Sequence, residues 1–206
     1  MIDLSRARVP STTVTVAAVL FALLWLAMLT VGTGSADVEI LRAVYAGGQP
    51  MLVAIAYGFT TLGSAWVTVP AGLAAFGYLA WAGRKRAAIP TFVVIAVGRM
   101  LVEAQKYSIA RLRPDDQVHL VPISTPSFPS GHSANSMIVC LTLAIVFFGR
   151  TRWRYPAAAF AVLLSLCIGV SRVMLGVHWP TDVVGGWAFG LLWVMLALPL
   201  ADRLIG

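Results

Sequence analysis

Long apolar runs dominate this sequence and limit what it can fold into. Several of them reach about 18–20 residues, which is the length of α-helix that crosses a lipid bilayer. Hydrophobic residues make up 59% of the 206-residue chain, whereas charged residues make up only 11%. Backbone polar groups in a bilayer must be bonded within the segment, so such runs are expected to be helices. The sequence therefore predicts an all-α, polytopic membrane protein.

Six transmembrane helices are predicted, separated by short polar or charged stretches. They cover residues 14–31, 64–82, 88–106, 132–149, 156–173 and 181–199. We interpret residues 1–206 as a single integral-membrane domain. The first span is expected to be an uncleaved signal anchor, because its apolar core is longer than that of a cleaved signal peptide.

The basic residues indicate how these helices are oriented. Cytoplasmic loops are enriched in Lys and Arg, so we expect the N-terminus and the clusters at 84–86 and 150–154 to be cytoplasmic. Nine of the fifteen basic residues then lie on this side, at positions 6, 8, 84, 85, 86, 150, 152, 154 and 203. Membrane topology thus accounts for much of the net charge of +7, and no nucleic-acid partner is expected.

Residues 38–63 do not fit a simple span. From Met51 to Ala82 there are 32 residues, too many for one straight span and too few for two. The N-terminus and the cluster at 84–86 are expected on the same side, so only one helix can return after the first span. We therefore expect an interfacial or partly re-entrant helical segment on the outer side. A long, tilted span is the alternative.

The other six basic residues lie on the outer side or within spans, against the orientation bias. They are Arg42, Arg99, Lys106, Arg111, Arg113 and Arg172. Four of these and two of the three histidines fall where the predicted topology brings helix ends together at the outer face. This clustering needs a functional reason.

Phosphate binding is one such reason. Lys106, Arg113 and Arg172 supply positive charge, and the planar guanidinium of arginine matches phosphate oxygens. Ser130 and Gly131 lead into a predicted helix N-terminus, where backbone amides and the helix dipole favour an anion. We therefore predict a phosphate site at this end of the bundle.

Histidines supply the reactive groups for such a site. His178 and Asp182 are four residues apart, so the carboxylate can bind one ring nitrogen and leave the other as a nucleophile. His132, on a different helix, can protonate a departing oxygen. The residues together suit attack on a phosphate.

The spacing of these residues resembles the three-part signature of the type 2 phosphatidic acid phosphatase superfamily. Its parts stand in order over residues 106–182, as Lys106-six residues-Arg113-Pro, then Pro-Ser-Gly-His132, then Ser-Arg172-five residues-His178-three residues-Asp182. The resemblance implies that His178 forms a phosphohistidine oriented by Asp182, and that His132 is the general acid. It also implies that the enzyme needs no metal ion and no cofactor.

A membrane lipid phosphate is the substrate that this resemblance implies, such as undecaprenyl diphosphate, phosphatidylglycerophosphate or phosphatidate. The compact chain suggests a bacterial enzyme of the inner membrane, and the charge pattern predicts an active site on the periplasmic or equivalent outer side. Two alternatives remain open at this point. One is a phosphotransferase of the same superfamily, which would pass the phosphate to another lipid. The other is a transporter or lipid-headgroup-binding protein.

Two charged residues inside the third span are predicted to support the site. Arg99 and Glu103 lie on the same helix face as Lys106, and a charge within a membrane normally finds a partner. We therefore predict an Arg99–Glu103 ion pair that faces the bundle. His119 is expected to be a solvated loop residue rather than a catalytic one.

Overall fold

The computed structural model describes residues 11–205, without the side chains of Ser11 and residues 202–205. In this range the chain folds into eight α-helices and no β-strand, so the predicted all-α fold is confirmed. The helices are α1 (Ser11–Val31), α2 (Ser35–Val44), α3 (Pro50–Leu62), α4 (Ala65–Trp81), α5 (Lys85–Ile109), α6 (Gly131–Phe148), α7 (Arg154–Met174) and α8 (Pro180–Ile205).

Six stretches within the described residues are long and apolar enough to cross a membrane, which is the number predicted. They are Thr12–Val31, Pro50–Trp81, Lys85–Ile109, Gly131–Phe148, Arg154–Met174 and Pro180–Ala201. Their bounds agree with the predicted spans within a few residues, except at the start of the second. Arg6 and Arg8, on which the predicted orientation partly rests, lie outside the described residues.

Helix α6 forms the centre of the bundle and packs against α5, α7 and α8. Ala134 and Ile138 of α6 are buried with Val102 of α5 and Val194 of α8. Helix α1 lies at the outside against α8, with most of its large apolar side chains exposed. Exposed apolar surface of this extent is unusual for a soluble protein and suits contact with lipid.

The segment predicted as interfacial or re-entrant, residues 38–63, forms two helices rather than one. Helices α2 and α3 are joined by a turn, and α3 is in turn separated from α4 by Gly63 and Ser64. Helix α3 packs mainly against α7, whereas α4 packs against α5 and α6. The second span is therefore not one straight helix. The depth of α2 and α3 in the membrane stays a prediction.

Helix α3 runs antiparallel to the last two turns of α7. The contacts occur in reverse order along the two helices, Ala56 with Leu175, Thr60 with Arg172 and Gly63 with Ile168. A side chain at Gly63 would start only 2.3 Å from Ile168 Cγ2 and 3.2 Å from His132 Cδ2. The break between α3 and α4 thus lies directly beside the start of α6.

The connection from α5 to α6, residues 110–130, folds over one end of the bundle. Helix α5 stops at Ala110, whose φ of 51° is left-handed and whose amide donates to the carbonyl of Lys106. The amide of Ser127 donates to the carbonyl of Arg111 at 2.9 Å, which closes the connection on itself. The end of α5 and the starts of α6 and α8 meet beneath it.

Candidate active site

A cavity of about 210 Å³ lies at this end of the bundle. Eight of the ten site residues predicted from the sequence line it, namely Arg99, Glu103, Lys106, Arg113, Gly131, His132, Arg172 and His178. The other two, Ser130 and Asp182, are fully buried behind its wall. The fold therefore brings the three distant parts of the sequence signature to one place.

His178 and Asp182 are arranged as their four-residue spacing predicts. Nδ1 of His178 lies 3.4 Å from Oδ2 of Asp182. Nε2 on the other side of the ring lies 3.1 Å from Nη1 of Arg113. A guanidinium can only donate hydrogen bonds, so Nε2 is the unprotonated acceptor and Nδ1 carries the proton. This tautomer gives Nε2 the lone pair that a nucleophile needs.

The surroundings of His178 favour the neutral ring. The His178 side chain is 2% exposed. Burial, followed by the positive charges of Arg113, Lys106 and Arg172, lowers the pKa of His178 well below its ordinary value of about 6.5. The imidazole therefore stays unprotonated on Nε2 at mildly acidic pH.

Asp182 receives hydrogen bonds from several parts of the chain. Oγ of Ser127 donates to Oδ2 at 2.5 Å and lies 3.3 Å from Nδ1 of His178. The amide of Trp179 donates to the same oxygen at 2.9 Å. Nη1 of Arg111 donates to Oδ1, also at 2.9 Å. A fully buried carboxylate with this many donors has one orientation, and it holds the His178 ring in one orientation too.

Arg111 and Ser127 are site residues that sequence reasoning missed. Arg111 also donates to the carbonyl oxygens of Met28 and Leu29 at 2.9 and 2.7 Å, at the end of α1. Its guanidinium lies over the ring of Phe128, 4.3 Å from the centroid. One signal could have found Arg111, because it is a basic residue on the outer side against the orientation bias. Ser127 carries no such signal, since a serine beside prolines is typical of a turn.

Arg113 is held in place by the backbone around it. Nε donates to the carbonyl of Thr125 at 2.7 Å and Nη1 to that of Val177 at 2.5 Å. Nη2 donates to Oγ1 of Thr125 at 3.2 Å. Burial lowers the pKa of Arg113, and the charge of Asp182 opposes that shift. Arginine nevertheless keeps its charge in proteins, so a fixed cation stands beside Nε2 of His178.

Lys106 and Arg172 are buried cations with few partners. Lys106 donates from Nζ to the carbonyl of Pro126 at 2.8 Å. Arg172 donates from Nη1 to Oγ1 of Thr60 at 2.5 Å, and its Nε has no partner in the described part of the chain. Neither residue forms an ion pair with a carboxylate of the described residues. Desolvated cations with unused donors are costly unless an anion binds them.

The start of α6 differs from the prediction in one respect. The amide of Ser130 donates to the carbonyl of Asp182 at 2.9 Å, and its hydroxyl accepts from Ser133 at 3.0 Å. The prediction that the amides of Ser130 and Gly131 both face a phosphate is therefore wrong for Ser130, whose N–H ties α6 to α8. Gly131 lies on the cavity wall, where an added side chain would start 3.2 Å from Cε of Lys106.

The predicted Arg99–Glu103 ion pair is wrong. Both side chains line the cavity, but they form none of the ion pairs found among the described residues. Four-residue spacing allows such a pair on a helix. The spacing thus brings both residues to the cavity without pairing them.

The two remaining histidines differ in their surroundings. His132 lies in the first turn of α6 and lines the same cavity as His178. Nε2 of His119 lies 2.6 Å from the carbonyl of Pro114 and is not part of the cavity wall.

No group of three His, Cys, Asp or Glu side chains suited to a metal ion occurs in the described part of the chain.

The cavity therefore combines an anion site with reactive groups. Four cations line it, and one histidine presents a fixed lone pair while a second histidine lies nearby. Cations that are fixed in advance stabilise the charge on phosphoryl oxygens, and a histidine nitrogen can attack phosphorus. These are the parts that phosphoryl transfer requires.

Comparison with known proteins gives a consistent result. The family model described as the PAP2 superfamily matches residues 87–205. Phosphatidylglycerophosphatase B of Bacillus subtilis is 33% identical over 193 residues, which cover 89% of this chain and 92% of that protein. An undecaprenyl-diphosphatase of Sulfolobus acidocaldarius is 28% identical over 130 residues, covering 61% and 58%. The crystal structure of a transmembrane PAP2 type phosphatidylglycerolphosphate phosphatase from Bacillus subtilis superposes with a TM-score of 0.81 at 29% identity, covering 92% of this chain and 98% of that one.

Proposed function

The chain belongs to the PAP2 superfamily of membrane phosphatases, and from this premise we propose that it hydrolyses a lipid phosphomonoester or diphosphate through a phosphohistidine on His178. Undecaprenyl diphosphate, phosphatidylglycerophosphate and phosphatidate are substrates of this kind. One observation carries the proposal. Nε2 of His178 is unprotonated beside Arg113, while Asp182 holds the opposite side of the ring.

The substrate phosphate binds among Lys106, Arg113 and Arg172. The unpartnered Nε of Arg172 is one donor for its oxygens, and Nζ of Lys106 has only one bond in the described part of the chain. Arg113 now donates to Nε2 of His178. When phosphorus approaches that nitrogen, the same guanidinium donates to a phosphoryl oxygen instead, and its bonds to the backbone keep it in place.

In the first chemical step Nε2 of His178 attacks phosphorus. A nitrogen–phosphorus bond forms, the bond from phosphorus to the lipid oxygen breaks, and its electron pair goes to that oxygen. His132 gives the oxygen a proton. Asp182 accepts the hydrogen bond from Nδ1–H and stabilises the positive charge that develops on the ring.

In the second step water attacks the phosphohistidine. His132, now neutral, takes a proton from the water while the oxygen–phosphorus bond forms. The nitrogen–phosphorus bond breaks, and its electron pair returns to Nε2 of His178. Inorganic phosphate then leaves, and no step passes through a metal ion.

The site lies on the outer side of the membrane in this proposal. At the opposite end of the bundle, Arg84, Arg86 and Arg150 surround a cleft formed by the start of α5 and the end of α6. Basic residues favour the cytoplasmic side. The cavity at the far end of α5 then opens to the periplasm, if the membrane is the inner membrane of a bacterium.

Replacing His178 by alanine tests the proposal. Purified variants in detergent are assayed for phosphate release from a lipid phosphate, in EDTA and without a second lipid as acceptor. We expect His178→Ala to lower kcat by at least about a thousandfold, because the nucleophile is lost. His119→Ala is the matched control, since His119 lies outside the cavity, and it should keep most of the activity.

Three outcomes would contradict the proposal. The mechanism is wrong if His178→Ala, folded as judged by its thermal unfolding, still turns over at the wild-type rate. A requirement for metal, seen as loss of wild-type activity in EDTA, would also contradict it. Phosphate transfer only when a second lipid is supplied would identify a phosphotransferase instead of a hydrolase.

A further inference from the structure

Arg99 is a charged residue inside a membrane-spanning helix that the mechanism above does not use. It lies on α5 within the stretch Lys85–Ile109, and its side chain lines the cavity. It forms no ion pair and no hydrogen bond with the other described residues. A charge at membrane depth is costly and indicates a function unless a partner neutralises it.

The position of Arg99 along α5 places it deeper than the phosphate cations. Lys106 is seven residues further along, which is about two turns or roughly 10 Å of helix. Both residues line one cavity, so the cavity extends from the Lys106 end of α5 toward the middle of the membrane. The lipid tail of a substrate must point in that direction, because it stays in the bilayer.

Asn135 lies on α6, about one turn after Gly131. It is 6% exposed and its side chain lines the cavity. The NH2 group of an asparagine can donate two hydrogen bonds to a group in such a cavity. Arg99, deeper along α5 than Lys106, and Asn135, deeper along α6 than Gly131, thus bring hydrogen-bond donors to the inner end of the cavity.

Glu103 does not neutralise this inner end. It lies one turn from Lys106 and its charge acts on that residue, yet it makes no ion pair with Arg99. The three positive charges of Lys106, Arg113 and Arg172 already outnumber the single negative charge of Glu103 in the cavity wall. Arg99 therefore adds a fourth positive charge that the cavity does not need for a single phosphate.

We propose that Arg99 and Asn135 bind the second phosphate of a lipid diphosphate, the one that remains on the lipid after hydrolysis. This inference rests on the proposed function and specifies its substrate class. When a phosphomonoester is cleaved, the leaving group is an alcohol without charge, and an arginine beside it contributes little. When a diphosphate is cleaved, the leaving group is a lipid monophosphate anion, which an arginine and an amide stabilise through charge-assisted hydrogen bonds.

The test compares two substrates that differ only in this phosphate. Purified wild-type protein and variants are assayed in detergent with a polyprenyl diphosphate and with the polyprenyl monophosphate of the same chain length. We expect the wild type to prefer the diphosphate. Arg99→Gln should lower kcat/KM for the diphosphate by about tenfold to a hundredfold, the effect of one charged hydrogen bond, and leave the monophosphate nearly unchanged.

Two variants separate this role from a structural one. Arg42→Gln removes an arginine outside the cavity and should keep the wild-type preference. The double variant Arg99→Gln/Glu103→Gln should be as poor with the diphosphate as Arg99→Gln alone. Full recovery in the double variant would overturn the inference, because Arg99 would then serve only to balance Glu103.

Other outcomes overturn the inference without touching the proposed function. If Arg99→Gln lowers kcat/KM equally for both substrates, or for neither, then Arg99 does not bind the second phosphate. Failure of the wild type to release phosphate from any lipid phosphate is a different result. It would contradict the proposed function itself.

Discussion

Two ion pairs of similar length but different burial allow the role of Arg111 to be measured. Arg111 and Asp182 are 2.9 Å apart with side chains 9% and 0% exposed. Arg42 and Asp116 are 2.7 Å apart with side chains 61% and 27% exposed. Replacing Arg111 by methionine leaves a buried carboxylate without its cation, which costs about 3–5 kcal/mol. Breaking an exposed pair costs at most about 1 kcal/mol.

These energies translate into clearly different melting temperatures. In a chain of this length 1 kcal/mol corresponds to roughly 2–4 °C in Tm. We therefore expect Arg111→Met to lower Tm by roughly 6–20 °C and Arg42→Met by no more than about 4 °C. Thermal unfolding in detergent, followed by helical circular dichroism, measures both. The wild type and the two variants are compared in the same detergent at the same protein concentration.

Phosphate release from the same samples, below the lowest Tm, shows whether Arg111 also positions the nucleophile. Arg111→Met should lower kcat because Asp182 no longer has a fixed orientation behind His178. Arg111→Lys keeps the charge but loses the planar fork that reaches Asp182 and the end of α1 together, so its loss should be intermediate. Equal changes in Tm for the buried and the exposed pair would refute this reasoning.

Two further predictions concern the phosphate site. Thr60→Val removes the acceptor for Nη1 of Arg172 and should raise KM about tenfold, roughly 1–2 kcal/mol. Thr61→Val is the matched control, because the Thr61 hydroxyl bonds only within its own helix. A similar KM in both variants would contradict this role of Thr60. The lowered pKa of His178 means that Nε2 gains a proton only well below pH 6.5. The acid limb of kcat/KM against pH should therefore lie below 6.5, and a limb at or above that value would mean that His178 is not the buried nucleophile.

The site residues that could be predicted from the sequence are those that their residue type and their spacing along the chain reveal. His178 and Asp182 meet because Asp182, in the first turn of α8, reaches back to the residues just before that helix. The cations at 106, 113 and 172 stand out because the rest of the chain is so apolar. Arg111 could be predicted only in part. It was visible as an unexplained charge, but its four acceptors lie on α1 and α8, and no local pattern reveals them.

Other features leave no mark in the sequence of side chains. The amide of Ser130 bonds to the carbonyl of Asp182, and every residue except proline has such an amide. The break at Gly63 and Ser64 agrees with the predicted boundary between the segment 38–63 and the span 64–82, but no pattern indicated the turn that divides α2 from α3. The Arg99–Glu103 prediction failed because helical spacing gives proximity, whereas the direction of each side chain depends on a cavity that distant helices create.

The bond between Thr60 and Arg172 has a consequence for how this protein can vary. Thr60 lies on α3, outside the signature, yet it is the one described partner that fixes the guanidinium of Arg172. Substitutions that shift α3 along α7 would move this cation while every signature residue stayed the same. Affinity for phosphate can therefore be tuned from a helix that carries none of the catalytic groups. Two proteins with the same three-part signature can therefore differ in their affinity for substrate.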